Sequence, residues 1–233
     1  MNDAISIHDL EFQWPGASRL TLQIPRWQVR RGERVFLYGP SGSGKSTLLN
    51  LLAGILAPQR GRIDVLGSSL GSLNNRARDR FRARFIGYIF QQFNLVPYLS
   101  VADNVALARH FGAPDPTVWR PTPAQRLQDT LDLLKRLGLA EDLLARRSDT
   151  LSVGQQQRVA IVRALVNRPQ LIIADEPSSA LDSDARDEFL ALLLECAALH
   201  GSAVVFVSHD RSMATHFDTQ VALSSLNLVA GGG

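Results

Sequence analysis

The run Gly39-Pro40-Ser41-Gly42-Ser43-Gly44-Lys45-Ser46-Thr47 carries the spacing G-x-x-x-x-G-K-S. Its glycines let successive backbone N–H groups point at one anion without a Cβ in the way. A helix opening at the same place adds the positive end of its dipole. Lys45 can reach the β- and γ-phosphates of a bound nucleotide, and Ser46 can offer its hydroxyl to Mg²⁺. The spacing is informative only between a strand and a helix. Here it follows the apolar run Arg34–Tyr38 and precedes the helical pattern Leu48–Leu52. The stretch is predicted to bind a nucleoside triphosphate.

A second group of chemically capable residues closes an apolar strand, Leu171-Ile172-Ile173-Ala174, which ends in Asp175, Glu176 and Pro177. A buried strand delivers Asp175 to a fixed point, where it can hold Mg²⁺ through water. Glu176 is then placed to orient or deprotonate a water attacking the γ-phosphate. A third group is Leu151-Ser152-Val153-Gly154-Gln155-Gln156-Gln157-Arg158. Serine and glycine opening a helix, predicted over Gln155 to about Val166, leave N–H groups and a hydroxyl facing outward, a second anion site. The simpler reading makes Ser152 an N-cap.

The elements that hold these groups follow from periodicity. Ile5, Ile7, Leu10, Phe12 and Trp14 alternate with polar residues, as in a half-buried strand ending at Pro15-Gly16. Leu20–Ile24 reads as a short strand closed by Pro25, and the loop helix is expected to run to about Leu56, before Pro58. Gly61–Gly67 is predicted as a strand, Leu73–Arg84 as an arginine-rich helix, and Ile86–Phe90 as a strand. From Phe93 to Arg168 the pattern is helical: a helix from Val101, a proline-bearing loop over Gly112–Pro123, and a helix over Ala124–Leu137 with apolar positions Leu127, Leu131 and Leu134. Strand–helix alternation then resumes with Gln170–Asp175, Asp184–Leu199 and Ala203–Val207. The two late strands are continuous apolar runs, suited to the middle of a parallel sheet. The expected fold is α/β: a P-loop NTPase core with a parallel sheet, an antiparallel β subdomain and an inserted α-helical subdomain. The core is predicted over about 1–92 and 169–233, with the helical subdomain over about 93–168.

The chain has 233 residues, 45% of them hydrophobic, enough for one large domain with its own core. A formal net charge of +3 is too mild to indicate a nucleic-acid partner. Arg76, Arg78, Arg80, Arg82 and Arg84 read as a solvated helix face in preference to a surface for acidic lipid headgroups. Phe81 and Phe85 among them suit the core better than a base-stacking platform. The single Cys196 cannot form an internal disulfide and reads as a small buried apolar residue of a reduced, cytoplasmic protein. The N-terminus lacks the basic and apolar regions of a secretory signal. No apolar run approaches the ~20 residues that span a bilayer, so any span is expected from a separate partner.

Taken together, the motifs resemble those of ATP-binding-cassette (ABC) transporter ATPases. Gly39–Thr47 resembles the Walker A motif, Leu151–Gln155 the signature and Leu171–Glu176 the Walker B motif. In the same order, Gln91 resembles the Q-loop residue, Ser179-Ala180-Leu181-Asp182 the D-loop and Ser208-His209-Asp210 the switch histidine. Val153 departs from the usual glycine, and the tail after Asp218 lacks the usual Asp-Gly turn. The resemblance implies ATP and Mg²⁺ as cofactors, with Gly39–Thr47 on the phosphates and Ser46, Gln91 and Asp175 around the metal. Glu176, His209 and Gln91 are the implied catalytic residues, and Trp14 the aromatic that stacks on adenine, with Phe12 next in line. Ser152, Gly154 and Gln155 would close over the nucleotide held by a second copy, so the implied unit is a homodimer. The loop after Gln91, with the apolar stretch Leu95–Leu99, would contact a separate transmembrane permease. Phe90–Pro97 and Leu151–Ile161 resemble the lipoprotein-releasing and macrolide-exporting branch. That branch implies export or extraction of a lipophilic, lipoprotein-type cargo, often with a periplasmic adaptor, from the cytoplasmic face of the inner membrane. The alternative is a regulatory scaffold of a cell-envelope or division complex. A DNA-repair cassette is disfavoured, because no coiled coil or zinc insertion separates Walker A from the signature.

Overall fold

The computed structural model describes residues 3–112, 122–179 and 181–229. The expected loop over Gly112–Pro123, Ala180 of the Ser179–Asp182 stretch and the tail Gly231–Gly233 lie wholly or partly outside them. In chain order the strands are β1 (Asp3–Phe12), β2 (Leu22–Arg30), β3 (Arg34–Tyr38), β4 (Arg60–Val65), β5 (Ser68–Ser69), β6 (Ile86–Ile89), β7 (Leu171–Asp175), β8 (Ala203–Val207) and β9 (Thr219–Ala222). The helices are α1 (Lys45–Leu52), α2 (Asn75–Phe85), α3 (Val101–Phe111), α4 (Pro123–Arg136), α5 (Val153–Leu165), α6 (Ser183–Leu199) and α7 (Leu223–Leu226).

A five-stranded parallel sheet, order β6-β7-β8-β3-β9, forms the centre. Its inner strands are buried on both faces, and successive residues serve opposite layers. Phe36, Ile172, Ala174, Val204 and Phe206 face a core shared with α5 and α6. Val35, Leu37, Ile173, Val205 and Val207 face a core shared with α1 and a four-stranded antiparallel sheet, order β2-β1-β4-β5. The register β3–β8–β7 brings the carboxyl ends of the strands level: Leu37 pairs with Val207, and Val207 with Asp175. The loops leaving Tyr38, Asp175 and Val207 therefore emerge side by side, where ligands of open α/β sheets bind.

Several local expectations are corrected. Pro25 does not close β2; the strand continues to Arg30 because β2 is an edge strand, where the missing N–H of proline costs no ladder bond. Helix α1 stops at Leu52 instead of about Leu56, since Gly54 turns left-handed at φ 66°. Helix α5 begins at Val153, two residues before the expected Gln155. In α4, Leu134 is buried and Leu131 half-buried, but Leu127 is exposed and Leu133 takes the core position. The tail is not featureless: β9 adds an edge to the central sheet beside β3, and Asp218 accepts from the backbone and guanidinium of Arg34. Of the arginines in α2, Arg76 and Arg80 are exposed, Arg82 pairs with Asp79, and Arg84 lies over Phe85. No helix among the described residues is long and apolar enough to cross a membrane.

Candidate active site

The glycine-rich loop leaves β3 and returns as α1, with its N-terminus opening on a cleft of about 680 Å³. Trp14, Thr21, Ser41, Gly42, Gly44, Lys45, Ser46, Thr47, Gln91, Asp175, Glu176 and His209 line that cleft, so residues far apart in sequence meet at one place. Gly44 caps the helix at φ 101°, and a Cβ there would stand 2.8 Å from Leu22 Cδ2. Glycine is thus favoured by conformation, and any larger residue would also have to push the end of the Leu22 side chain aside. Lys45 is only 6% exposed, and its Nζ donates to Gly39 O at 2.8 Å and Pro40 O at 2.9 Å. The ammonium is held at the floor of the loop, 4.0 Å from Glu176 Oε1.

The acids arrive from β7. Asp175 is the last strand residue, and the next residue, Glu176, turns left-handed at φ 47°. That conformation costs roughly 1–3 kcal/mol in a non-glycine residue. Its N–H is fixed to Val207 O at 3.0 Å, which ties the turn to the end of β8. His209 leaves β8 two residues later, and its Nδ1 lies 3.0 Å from Glu176 Oε1. One carboxylate oxygen therefore faces both the imidazole and the lysine. Gln91, just beyond β6, donates from Nε2 to Ser179 Oγ at 3.3 Å.

These residues fit a nucleotide with a divalent cation. Ser43 Oγ is buried without a protein partner, a donor suited to a phosphate oxygen; an unmade bond there costs about 1–3 kcal/mol. Burial raises the pKa of Asp175 above the ordinary carboxylate value; a hydrogen bond from Ser46 opposes this, the Glu176 charge adds to it, and Lys45 opposes it. A hydroxyl and a reluctantly ionised carboxylate side by side form a hard-oxygen pair whose desolvation a cation would offset.

Ser152, Gly154 and Gln155 line a separate concavity with Asp142, Arg146 and Arg158. Ser152 is an N-cap in a reciprocal capping box: its Oγ accepts from Gln155 N at 3.3 Å, and Gln155 Oε1 accepts from Ser152 N at 3.1 Å. The side chain of Val153 is exposed, and nothing lies within 4 Å of a Cβ placed on Gly154. This helix start therefore faces open space.

Trp14 is 43% exposed, and its ring meets Phe12 edge-on at 5.3 Å. Phe12 is buried and offers no free face, which removes it as the alternative stacking residue. Trp14→Ala should weaken ATP and GTP alike by about 1–3 kcal/mol, since stacking tolerates any base. Titration of both nucleotides by calorimetry checks this; unchanged affinity would place the base contact elsewhere.

Sequence reasoning missed three supporting residues. Thr21 lines the cleft from the residue before β2. Gln157 is buried and donates to Pro177 O at 3.0 Å, fixing α5 to the turn after Glu176. Arg163 donates to Phe93 O at 2.5 Å and to Asn94 O, both residues being left-handed, and burial lowers its pKa. A polar residue on the buried side of α5 was the available signal for the last two. Beside them, Tyr88, Phe90, Val96, Leu107 and Phe111 line a groove of about 270 Å³, with Tyr98 70% exposed nearby in the chain.

The chain is similar to known proteins along most of its length. The ABC transporter family profile matches residues 22–179. A lipoprotein-releasing system ATP-binding protein, LolD of Pseudomonas fluorescens, is 38% identical over 203 residues, 87% of this chain and 86% of that protein. The phosphonates import ATP-binding protein PhnC 2 of Pseudomonas syringae is 43% identical over 97% of this chain and 82% of its own length. The solved dimeric ATP-binding cassette MJ0796, in a post-hydrolysis state bound to ADP and Pi, superposes with a TM-score of 0.82 at 32% identity, covering 94% of this chain and 93% of that one. The chain belongs to the ABC transporter family and is an ATPase cassette that binds ATP with Mg²⁺.

Proposed function

We propose that this chain is the energy-supplying subunit of a transporter, working as a pair of copies bound to a separate membrane permease. The observation that carries the reading is the division of the site. Lys45, Asp175, Glu176 and His209 share one cleft, while Ser152, Gly154 and Gln155 open on another. A second copy, packed head to tail, would bring its Ser152 and Gly154 over the first copy's cleft and complete it. We assign residues 1–92 and 169–233 to the nucleotide-binding core and 93–168 to the helical subdomain that presents this second surface.

When bound, ATP supplies the terminal phosphoryl group that passes to water, and Mg²⁺ screens its charge. The chain's own residues divide the remaining work. Gly39–Thr47 hold the phosphates through backbone N–H groups, and Lys45 contributes the fixed positive charge. Ser46, Asp175 and Gln91 supply oxygens for the metal. Glu176 orients the attacking water and takes its proton, and His209 fixes the Glu176 carboxylate and bonds the γ-phosphate side.

The apolar groove beside Val96 and Phe111 is the proposed seat of the permease, which would hold the ATPase at the cytoplasmic face of the inner membrane. Val96→Asp or Tyr98→Asp should leave ATP affinity intact and abolish permease-stimulated ATPase activity. Complex formation and stimulation at wild-type levels in both variants would move the permease surface elsewhere. The Phe90–Pro97 stretch and the LolD relative support extraction of a lipoprotein-type cargo, with a periplasmic adaptor as a further partner. The PhnC 2 relative supports import of a small anionic solute instead. Purification from native membranes separates them: a permease with a large extracytoplasmic domain supports extraction, and one bound to a soluble solute receptor supports import.

A further inference from the structure

His209 is held at Glu176 by one contact of its ring, and its side chain is 59% exposed. What keeps the imidazole there must come from its backbone. The next residue, Asp210, is anchored on several sides. Its Oδ1 accepts from Ser212 N at 2.9 Å and Ser212 Oγ at 2.7 Å, and its own N–H donates to Ser208 Oγ at 3.1 Å. Its other oxygen, Oδ2, accepts from Nη1 of Arg186. The Ser212 bonds hold the Asp210 carboxyl below its ordinary pKa, with Arg186 and His209 adding to the effect, so it is an anion near neutral pH.

Arg186 is not a neighbour in sequence. It lies on the first turn of α6, where its backbone N–H bonds Asp182 O at 3.0 Å, and Asp182 itself caps the helix through Ala185 N at 2.9 Å. Its Nε bonds Asp187 at 3.0 Å, which fixes the other edge of the guanidinium. The segment preceding this helix carries Ser179, the partner of Gln91. The Arg186–Asp210 bond thus connects the helix after β7 with the loop after β8 that carries His209. Arginine suits the position because its planar fork bonds two carboxylates at once.

We propose that Arg186 is a positioning residue for the reaction: through Asp210 it holds the loop that aims His209 at Glu176. The proposal rests on the role assigned to His209 above. Four variants test it: R186A, R186K, H209A and the double variant R186A/H209A, each as full-length chain. R186A should lower kcat roughly tenfold or more, within the about 10²-fold that a 1 Å misplacement costs, with KM for ATP little changed. R186K should recover only part of the loss, because the cation returns without the planar fork that bonds Asp187 and Asp210 together. The double variant should be no slower than H209A alone, since Arg186 acts only through that ring. In nucleotide-free protein, the imidazole Cε1–H resonance of His209 should shift in R186A and move part of the way back in R186K. An unshifted resonance in R186A overturns the proposal whatever the turnover, and so does a double variant slower than H209A. If H209A itself turns over like the wild type, the catalytic role of His209 is wrong, and the resonance still decides whether Arg186 positions the ring.

Discussion

Glu176→Gln should bring ATP hydrolysis down by about 10²–10⁴-fold while ATP and Mg²⁺ still bind, because a positioned general base is worth that factor. The substitution keeps the size of the side chain and an oxygen that can face His209 Nδ1, now 3.0 Å from the carboxylate. It removes the negative charge that, on the proposed mechanism, accepts the proton of the attacking water. Lys45 keeps its bonds to Gly39 O and Pro40 O, and Asp175 keeps Ser46, so the binding half of the cleft is intact. With hydrolysis blocked, ATP should persist between Lys45 of one copy and Ser152 and Gly154 of the other. Loss of a carboxylate facing the γ-phosphate relieves like-charge repulsion and favours the same closed pair. Size-exclusion chromatography with Mg-ATP should show a dimer for Glu176→Gln and mostly monomer for the wild type. Adding Ser152→Arg places a long cation at the exposed start of α5 and should return the variant to monomer. Wild-type turnover in Glu176→Gln, or a monomer with ATP bound, would show that the composite site is not how this chain works.

Lys45→Ala should fail at the earlier step. Its ammonium is the buried positive charge nearest the loop carbonyls, and charge-assisted hydrogen bonds are worth about 1.5–3 kcal/mol each. Losing its contacts to the phosphates should weaken ATP binding by about 2–4 kcal/mol, roughly 30- to 10³-fold in Kd. Hydrolysis at saturating ATP would fall as well, but the distinguishing readout is affinity. Calorimetric titration of the nucleotide-free chain with Mg-ATP measures it directly, and a near-wild-type Kd would sink the assignment of Gly39–Thr47. The two variants therefore separate holding the nucleotide from cleaving it.

Much of this architecture was legible because it is local. The glycine loop is contiguous in sequence, and its spacing marks a phosphate turn because the apolar run Arg34–Tyr38 precedes it and the helical pattern Leu48–Leu52 follows. The apolar runs Leu171–Ala174 and Ala203–Val207 read directly as inner strands, since a strand covered on both faces has no polar positions to spare. Ser152 reads as a helix start for the same reason: a capping box spans only four residues. The loop and the cap depend on interactions within a turn or two of the chain, and the strands betray themselves by their unbroken apolar composition.

Only the tertiary structure decided what required two distant segments to meet. Pro25 looks like a strand end until β2 proves to be at the edge of its sheet, and Leu127 looks like core until α4 is packed with Leu133 and Leu134 inward. The tail after Asp218 carries no strong pattern, because β9 is a short edge strand that takes its order from the exposed side of β3. Above all, the pairing of Glu176 with His209 comes from the register of β7 on β8, which levels Asp175 with Val207. Sequence names both residues, but the 3.0 Å between them is a property of the sheet. The Arg186–Asp210 link is of the same kind, since neither residue forms part of a pattern that periodicity can reveal. Short-range spacing is written in the backbone's own geometry, whereas contacts between chain ends of neighbouring strands exist only once the sheet has formed.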